Sequence, residues 1–345
     1  MPKKKNLPRE GNGREIVFCI QERSGYDGAV SYNRRRFIAT TLVGGVVAGA
    51  GLWTSASNSW AARFLRERIT ESFREITPVS FNPHPAEWDS NKITLSWIGH
   101  ATVLINFYGF WILTDPALFS RVGLDLRLFS FGPKRLSMPG LQPNLLPKID
   151  LILLSHAHMD HMDLPSLRAL PAETPAVTAW NTADILKGTL SQVSELRWGE
   201  SIEVKRPIGN LKVTAFEVNH WGARWQRDQF RGYNGYVLER EGKKLIFGGD
   251  TALTSSFQRL RSQGPYEIAI MPIGAYDPWI RVHCNPEQAA QMAFESGAKK
   301  IAPVHFKTFK LSREPLNEPI ERLQRACAQE LERIAWREIG EAIVL

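Results

Sequence analysis

The sequence predicts an α/β fold in which two β-sheets lie between layers of helices. Short apolar runs typical of buried strands recur along residues 90–345, and helical segments separate several of them. Four of these runs are followed closely by a histidine or an aspartate. Strands that alternate with helices bury their faces well when sheets are sandwiched between helical layers. This region is therefore expected to form one sandwich domain.

The composition is that of a globular protein whose basic charge is concentrated near its start. Of the 345 residues, 43% are hydrophobic and 10% are aromatic. The formal net charge is +8, but residues 1–50 contain nine Lys and Arg against four Asp and Glu, a net charge of +5. The other 295 residues carry only +3. No nucleic-acid partner is expected from so modest a charge.

Residues 1–58 are predicted to be a basic leader. Consecutive arginines at 34–36 precede an apolar, charge-free run of about seventeen residues that ends at Trp53. This arrangement resembles a twin-arginine export signal, with a candidate cleavage site at 48–50. At ~1.5 Å per residue the run is short for a bilayer core of ~30 Å, yet an uncleaved membrane anchor stays open, as does a basic patch before a buried helix. We expect a bacterial protein exported to the periplasm or cell envelope.

Residues 59–89 are predicted to form an amphipathic helix and a linker. Apolar side chains recur at helical spacing through 59–76. Three prolines between 78 and 85 then mark the passage into the main domain, residues 90–345.

The main domain is predicted to begin with three strands, at 93–97, 103–107 and 110–114. Asp115 follows the third strand directly. A loop-rich insertion then covers 117–147, where apolar side chains alternate with basic ones. This composition suits contact with lipid, and it suits equally a lid packed on the domain.

The segment that follows a predicted buried strand at 149–154 dominates the interpretation of function. It has the pattern H-x-H-x-D-H, formed by His156, His158, Asp160 and His161. Zinc binds imidazole nitrogen and carboxylate oxygen, and a catalytic zinc site leaves one coordination position open. His156 and His158, two residues apart at a strand end, can point into one cavity, and the other two can reach a second position. One histidine alone would carry little weight, but four ligands in this spacing predict a metal centre.

Three later predicted strands lead to residues of the same type. The strands at 211–218, 244–247 and 300–304 are followed by His220, Asp250 and His305, respectively. Strand ends hold side chains on a rigid scaffold, which is where metal and catalytic groups are best placed. The repeated pattern extends the metal-site hypothesis to the whole domain.

Helical segments are predicted between and after these strands. Asn285 opens one with an N-cap and a proline at the first position, and Gly297 can close it. A second helix is predicted at 318–331, before a final strand at 342–345. These helices supply outer layers for the sandwich.

In their order and spacing, the histidines and aspartates resemble the metallo-β-lactamase fold superfamily. The matching residues are H-x-H-x-D-H at 156–161, His220, Asp250 within Gly-Gly-Asp-Thr, and His305. The resemblance covers about residues 90–345 and implies a four-layer αββα sandwich. Four further segments look like the branch that contains N-acyl-phosphatidylethanolamine-hydrolysing phospholipase D: W-I-G-H-A-T at 97–102, L-T-D-P at 113–116, G-P-K-R at 132–135 and M-P-I-G-A-Y at 271–276.

The resemblance implies two zinc ions. The first would be held by His156, His158 and His220, the second by Asp160, His161 and His305, with Asp250 as the bridge. A water between two metals ~3.5–4 Å apart is acidified to a hydroxide that can attack, so Asp160 and Asp250 are assigned catalytic roles. Iron or manganese could replace zinc at one position, because nitrogen and oxygen ligands accept several divalent ions.

Three more residues receive supporting or catalytic roles from the resemblance. His283 would lie close to the substrate phosphate and either hydrogen-bond a phosphoryl oxygen or protonate the leaving alkoxide; a surface or capping role is the alternative. Asp115 would support the ligands, and its simpler interpretation is a strand-end turn residue. His100 is expected to be structural or to support the site rather than to react directly.

The expected activity is that of a binuclear zinc-dependent phosphodiesterase of phospholipase D type. It would act on N-acyl-phosphatidylethanolamine or a similar phospholipid through a metal-bridging hydroxide, and contact with a membrane surface is expected. A lactone or ester hydrolase is the second hypothesis. The third is a non-catalytic, envelope-associated metal-binding protein, which the seven ligands argue against because a structural zinc site is closed by four. The sequence leaves open the head group, the oligomeric state and any pairing of Cys284 with Cys327.

Overall fold

Two β-sheets and their flanking helices are built by residues 60–127, 130–225 and 227–345, the ranges that the computed structural model describes. The predicted leader, residues 1–58, lies outside these ranges, so export, cleavage and anchoring stay predictions. The boundaries proposed at 58 and 89 also stay predictions. Residues 64–345 form one compact unit. Among the described helices, none has the length and apolar character needed to cross a bilayer.

The described ranges contain fifteen strands and five α-helices, joined by loops and short 3-10 turns. The strands are β1 (Ile93–Gly99), β2 (Thr102–Phe107), β3 (Phe110–Thr114), β4 (Leu124–Asp125), β5 (Ser130–Phe131), β6 (Leu151–Leu153), β7 (Ala176–Ala179), β8 (Val193–Leu196), β9 (Ser201–Arg206), β10 (Gly209–Phe216), β11 (Gly235–Arg240), β12 (Lys243–Phe247), β13 (Tyr266–Pro272), β14 (Ala298–Val304) and β15 (Ala342–Val344). The helices are α1 (Trp60–Ser72), α2 (Leu164–Arg168), α3 (Ser256–Leu260), α4 (Pro286–Glu295) and α5 (Glu318–Ala326).

The strands form two large sheets and one small ribbon. The first sheet has seven strands in the order β15-β1-β2-β3-β6-β7-β8, and the second has six in the order β14-β13-β12-β11-β10-β9. Strands β3, β6, β7 and β8 run parallel, as do β12, β13 and β14. The ribbon pairs β4 with β5 inside the 117–147 insertion.

Alternating side chains place each sheet between two apolar layers. Ile105 and Leu153 of the first sheet lie in one buried cluster with Phe247 of the second. Their neighbours in sequence, Leu104 and Ile152, belong to a separate cluster on the outer face. This is the period-2 alternation of strands buried on both faces.

Helices cover both outer faces. Leu167 of α2 packs in the outer cluster of the first sheet, while Ala289 of α4 and Leu323 of α5 pack on the second sheet. The predicted αββα sandwich is confirmed. Two predicted helices are shorter than expected: α1 ends at Ser72 instead of 76, and α5 ends at Ala326 instead of 331.

The insertion at 117–147 is anchored at its base and exposed at its tip. Arg135 is fully buried and donates from Nε to the carbonyl oxygen of Ser137 at 3.0 Å. Lys134 donates to the carbonyl oxygen of Arg74, just beyond α1. Leu126, in contrast, is 45% exposed. The base packs as a lid would, and the tip keeps apolar side chains in solvent.

Strand direction brings the predicted site residues to one edge of the sandwich. In the first sheet β1, β3 and β6 run the same way, because β2 is antiparallel to both of its neighbours and β6 is parallel to β3. In the second sheet β10, β12 and β14 also share one direction. The carboxyl ends of these six strands precede all of the predicted metal ligands, together with His100 and Asp115.

The inter-sheet core is expected to dominate stability, and Phe247 tests this. Phe247 is fully buried in the cluster between the sheets. We expect Phe247→Ala to lower the free energy of unfolding by about 3–5 kcal/mol, since it removes buried apolar surface and leaves a cavity. Denaturant unfolding of the full chain measures the change. Ile208→Ala, at a side chain that is 50% exposed, should change it by less than about 0.5 kcal/mol; equal losses would contradict the core assignment.

Candidate metal centre

Four loops at one edge bring the seven predicted ligands together. His156, His158, Asp160 and His161 follow β6, His220 follows β10, Asp250 follows β12 and His305 follows β14. The ligand atoms of six of them fall in two clusters that could each hold a metal ion, and Asp250 groups with His220 and His283.

The first cluster consists of three imidazole nitrogens. His158 Nδ1 lies 2.8 Å from His156 Nε2 and 3.3 Å from His220 Nε2. His156 and His220 are buried. Three nitrogens around one point form a donor set that zinc favours.

The second cluster joins His161, His305 and Asp160. His161 Nε2 and His305 Nε2 are 3.2 Å apart, and each lies 3.7 Å from Asp160 Oδ2. His100 Nε2 approaches the same oxygen at 2.9 Å. Burial lowers the pKa of His100 to about 3, so its neutral ring can donate one hydrogen bond to Asp160. The structure therefore places His100 as a partner of a ligand.

Asp250 lies between the two clusters. Its Oδ2 is 3.1 Å from His161 Nε2 and 3.2 Å from His305 Nε2 in the second cluster, and 3.8 Å from His220 Nε2 in the first. Its other carboxylate oxygen is buried and has no hydrogen-bond partner within the described residues. One carboxylate thus faces both candidate ion positions.

The hydrogen bonds behind the rings show that the clusters fit cations. The outer nitrogens contact acceptors: His156 Nδ1 lies 2.8 Å from Ser155 Oγ, His220 Nδ1 lies 2.7 Å from the carbonyl oxygen of Val282, and His161 Nδ1 lies 2.7 Å from Asp115 Oδ2. In a neutral ring whose outer nitrogen carries the hydrogen, the inner nitrogen presents a lone pair. Lone pairs that converge at about 3 Å repel unless a cation lies among them. Such outer contacts are typical of metal-binding histidines.

The charges of the clusters are also matched to metal binding. Burial lowers the pKa of His156 and His220 well below its usual value, which keeps both rings neutral. Burial acts on His161 too, but the surrounding carboxylates, Asp250 foremost, outweigh it and raise the pKa of His161 well above its usual value, so a metal ion that binds the inner nitrogen of this ring would displace a proton from it. Burial would raise the pKa of Asp250, yet nearby histidines outweigh it and hold this pKa well below its usual value. Asp250 is therefore ionised at neutral pH.

Asp115 orients His161 and the start of the loop that carries the first four ligands. It accepts hydrogen bonds from the backbone nitrogen of Ser155 at 2.7 Å and from Ser155 Oγ at 2.5 Å, in addition to its contact with His161. Its own backbone nitrogen donates to the carbonyl oxygen of Leu153 at 2.9 Å. Asp115 thus bonds to both ends of the ligand loop, which is more than a turn residue would do. Sequence reasoning assigned no role to Ser155.

Three residues of the centre have left-handed backbone angles. The φ angles are 53° for His100, 30° for Asp115 and 67° for His305. The strain costs about 1–3 kcal/mol for each such residue. Tertiary hydrogen bonds oppose it: His305 N donates to the carbonyl oxygen of His100 at 3.0 Å, and His100 N donates to Thr308 Oγ1 at 2.6 Å.

Two glycines allow the loops to approach. A Cβ on Gly249 would lie 2.8 Å from the carbonyl oxygen of Asn234, and φ there is 58°. A Cβ on Gly274 would lie 2.2 Å from the carbonyl oxygen of His305. Larger residues at either position would push a ligand-bearing loop away from the centre.

His283 lies beside both clusters. Its Nδ1 is 3.8 Å from Asp250 Oδ2, is buried, and has no hydrogen-bond partner within the described residues. Its side chain is 12% exposed. Asn285 caps α4 through a capping box with Gln288, so the capping role considered for His283 is not what the structure shows.

Arg224 is a supporting residue that the sequence did not reveal. Its Nη1 donates to the carbonyl oxygens of Ala157 at 3.1 Å and Met162 at 3.0 Å. These carbonyls flank the segment that carries three ligands. Nothing in the local sequence indicates this contact, because Arg224 is more than sixty positions away along the chain.

Comparison with known proteins agrees with the fold. Residues 110–306 match the family model described as "Beta-lactamase superfamily domain". The chain is 30% identical over 268 residues to an uncharacterized protein of Mycobacterium tuberculosis, covering 74% of this chain and 70% of that protein. It is 30% identical over 230 residues to N-acyl-phosphatidylethanolamine-hydrolyzing phospholipase D 1 of Caenorhabditis elegans, covering 62% of this chain and 64% of that protein.

Solved structures show the same fold. A metallo hydrolase from the archaeon Ignicoccus hospitalis has a TM-score of 0.54 and 21% identity, over 74% of this chain and 98% of that one. The region that the family model matches, residues 110–306, contains all seven candidate ligands. The chain therefore belongs to the beta-lactamase superfamily and is a metal-dependent hydrolase of the metallo-β-lactamase fold.

Proposed function

We propose that the chain is a binuclear zinc-dependent phosphodiesterase of phospholipase D type. Its substrate would be N-acyl-phosphatidylethanolamine or a similar phospholipid at a membrane surface. The observation that carries the binuclear part is Asp250, whose carboxylate faces both clusters within 3.8 Å. The similarity to the phospholipase D of Caenorhabditis elegans supports the substrate class. The twin-arginine-like leader supports export to the periplasm or envelope.

The described residues divide between two ion positions. His156, His158 and His220 would hold the first ion, Asp160, His161 and His305 would hold the second, and Asp250 would contact both. When bound, zinc lowers the pKa of a coordinated water and polarises a phosphoryl oxygen. Iron or manganese remains an alternative at one position.

Other side chains orient the ligands and the substrate. His100 holds the Asp160 carboxylate, and Asp115 holds the His161 ring. His283 has a buried nitrogen without a hydrogen-bond partner in the described ranges. This nitrogen can donate to a phosphoryl oxygen or pass a proton to the leaving alkoxide.

A cavity beside the second cluster suits an amphiphilic substrate. It has a volume of about 280 Å³ and reaches His305. Its lining includes the apolar residues Phe306, Phe309, Leu311 and Leu316, the cationic residues Lys307, Lys310 and Arg313, and one acid, Glu314; Lys307 is paired with Glu338. Apolar walls with nearby positive charge match a lipid that carries both an acyl chain and a phosphate.

The substrate is tested by incubating the zinc-loaded chain with vesicles that contain N-acyl-phosphatidylethanolamine. Mass spectrometry should detect phosphatidic acid, and chelation should abolish it because hydrolysis depends on the metal. A metal-replete chain that forms no phosphatidic acid would contradict the proposed substrate and favour soluble phosphodiesters or lactones.

The shared carboxylate is tested by Asp250→Ala. We expect hydrolysis to fall to background while the protein stays folded, since neither cluster would keep its common anion. Glu173→Ala, at an exposed position, is the matched control and should retain full activity. Full activity of Asp250→Ala would rule out the binuclear mechanism.

The supporting role of Asp115 is tested by Asp115→Asn. Loss of a carboxylate behind a metal-binding histidine lowers metal affinity by about ten- to hundredfold, and we expect that decrease here. Competition with a chromophoric chelator measures the affinity. Asp277→Asn, at an exposed aspartate, should bind metal as the parent does. An unchanged affinity of Asp115→Asn would assign Asp115 to the turn alone.

A further inference from the structure

Among the side chains that the structure describes, exposed tryptophans are confined to the edge that carries the metal centre. Within the described residues five tryptophan side chains are exposed, by 37% to 54%: Trp180, Trp198, Trp221, Trp225 and Trp279. They follow the carboxyl ends of β7, β8, β10 and β13, which point to the same edge as the ligand-bearing strands. The other tryptophans of known burial are buried or half-buried: Trp88, Trp97, Trp111 and Trp336. The five exposed side chains define the tryptophan face.

Further apolar side chains enlarge this face. Leu253 and Ile280 are each 43% exposed, and Phe230 is 59% exposed. Leu124, from the tip of the insertion, and Trp225 line the same cavity of about 250 Å³. Large exposed apolar surfaces rimmed by polar residues mark interaction sites.

Unpaired positive side chains outnumber unpaired negative ones on the face. Arg227 and Arg281 are exposed and form no ion pair within the described ranges, whereas Asp277 is the exposed acid beside the 279–281 loop that has none. Three other nearby acids are paired: Asp184 and Asp228 with Arg231, and Glu217 with Arg259. Arginine beside exposed tryptophan suits an anionic, amphipathic partner.

We propose that the tryptophan face docks on a lipid bilayer, with the 279–281 loop and Trp225 entering the headgroup layer. Tryptophan concentrates at membrane interfaces, where its ring is partly apolar and partly wet, and basic side chains add attraction to anionic lipids. A stable protein partner would also use tryptophan and arginine, but on this face it would cover the metal centre. A bilayer instead supplies the substrate, so this inference rests on the proposed function.

The face is connected directly to the metal ligands. Ala252 N donates to the carbonyl oxygen of Asn219 at 2.7 Å, and Cys284 N donates to that of Thr251 at 2.7 Å. The ring of Trp221 lies 4.8 Å from the ring of His158. Docking would therefore hold the centre directly above the lipid phosphates.

A fluorophore placed on the face tests docking without substrate. The full chain, in a Cys19→Ser background, would carry Trp279→Cys labelled with an environment-sensitive dye; Cys284 and Cys327 are buried and should escape labelling. With vesicles of phosphatidylcholine and phosphatidylglycerol, we expect the emission to shift to the blue and gain intensity. The same label at Ile208→Cys, in the turn just before β10 and thus at the opposite edge, should not respond. No response at 279, or equal responses at both sites, would overturn the proposal.

Kinetics with two kinds of substrate provide a second test. We expect the double variant Trp225→Ser and Trp279→Ser to lose at least about tenfold in kcat/KM on vesicle phospholipid, since each large side chain no longer enters the interface. Hydrolysis of the water-soluble bis(p-nitrophenyl) phosphate should stay unchanged, and Ile208→Ser should match the parent on both substrates. Equal losses on both substrates, or none on vesicles, would overturn docking. If the parent cleaves no phospholipid, the proposed function fails, and the fluorophore result still decides docking.

Discussion

The centre depends on one buried carboxylate that several imidazoles surround. Asp250 Oδ2 lies within 3.8 Å of nitrogens from four histidines that reach it on four different loops. A buried anion is costly unless charge or hydrogen bonds compensate it. The compensation here comes from the histidines, and a cation on each side of Asp250 would complete it. Strand directions and the close approach at Gly249 hold that carboxylate in place.

Much of the fold and the identity of the site residues could be predicted because both depend on local pattern. Period-2 apolar runs identified the strands of the outer hairpins, and the H-x-H-x-D-H spacing identified one loop of the centre by itself. The recurrence of His220, Asp250 and His305 after strands then indicated a shared edge. Short parallel strands such as β7, with only four residues, were not predicted individually, because so few residues carry no periodicity of their own.

Contacts between distant segments could not be predicted in this way. His100 meets Asp160 across sixty positions, and Arg224 meets Met162 across sixty-two. A single sequence contains no record of such pairs. The tryptophan face is a similar case, since its members are spread from 180 to 279 and become neighbours only because parallel strands end together. The end of α5 at Ala326 was missed for a smaller reason: apolar spacing continues past the last helical hydrogen bond.

The long separation between ligands gives the centre a role in holding the two sheets together. His161 belongs to the first sheet and His305 to the second, and their ring nitrogens, 3.2 Å apart, close a loop of 144 residues. Closing so long a loop lowers the conformational entropy of the chain. Packing of the two sheets compensates this entropy loss without a bound ion. A bound ion would then cross-link the two sheets. Protonation of its ligands, or a chelator, would remove this cross-link. Unfolding that separates the sheets would then coincide with release of the ions.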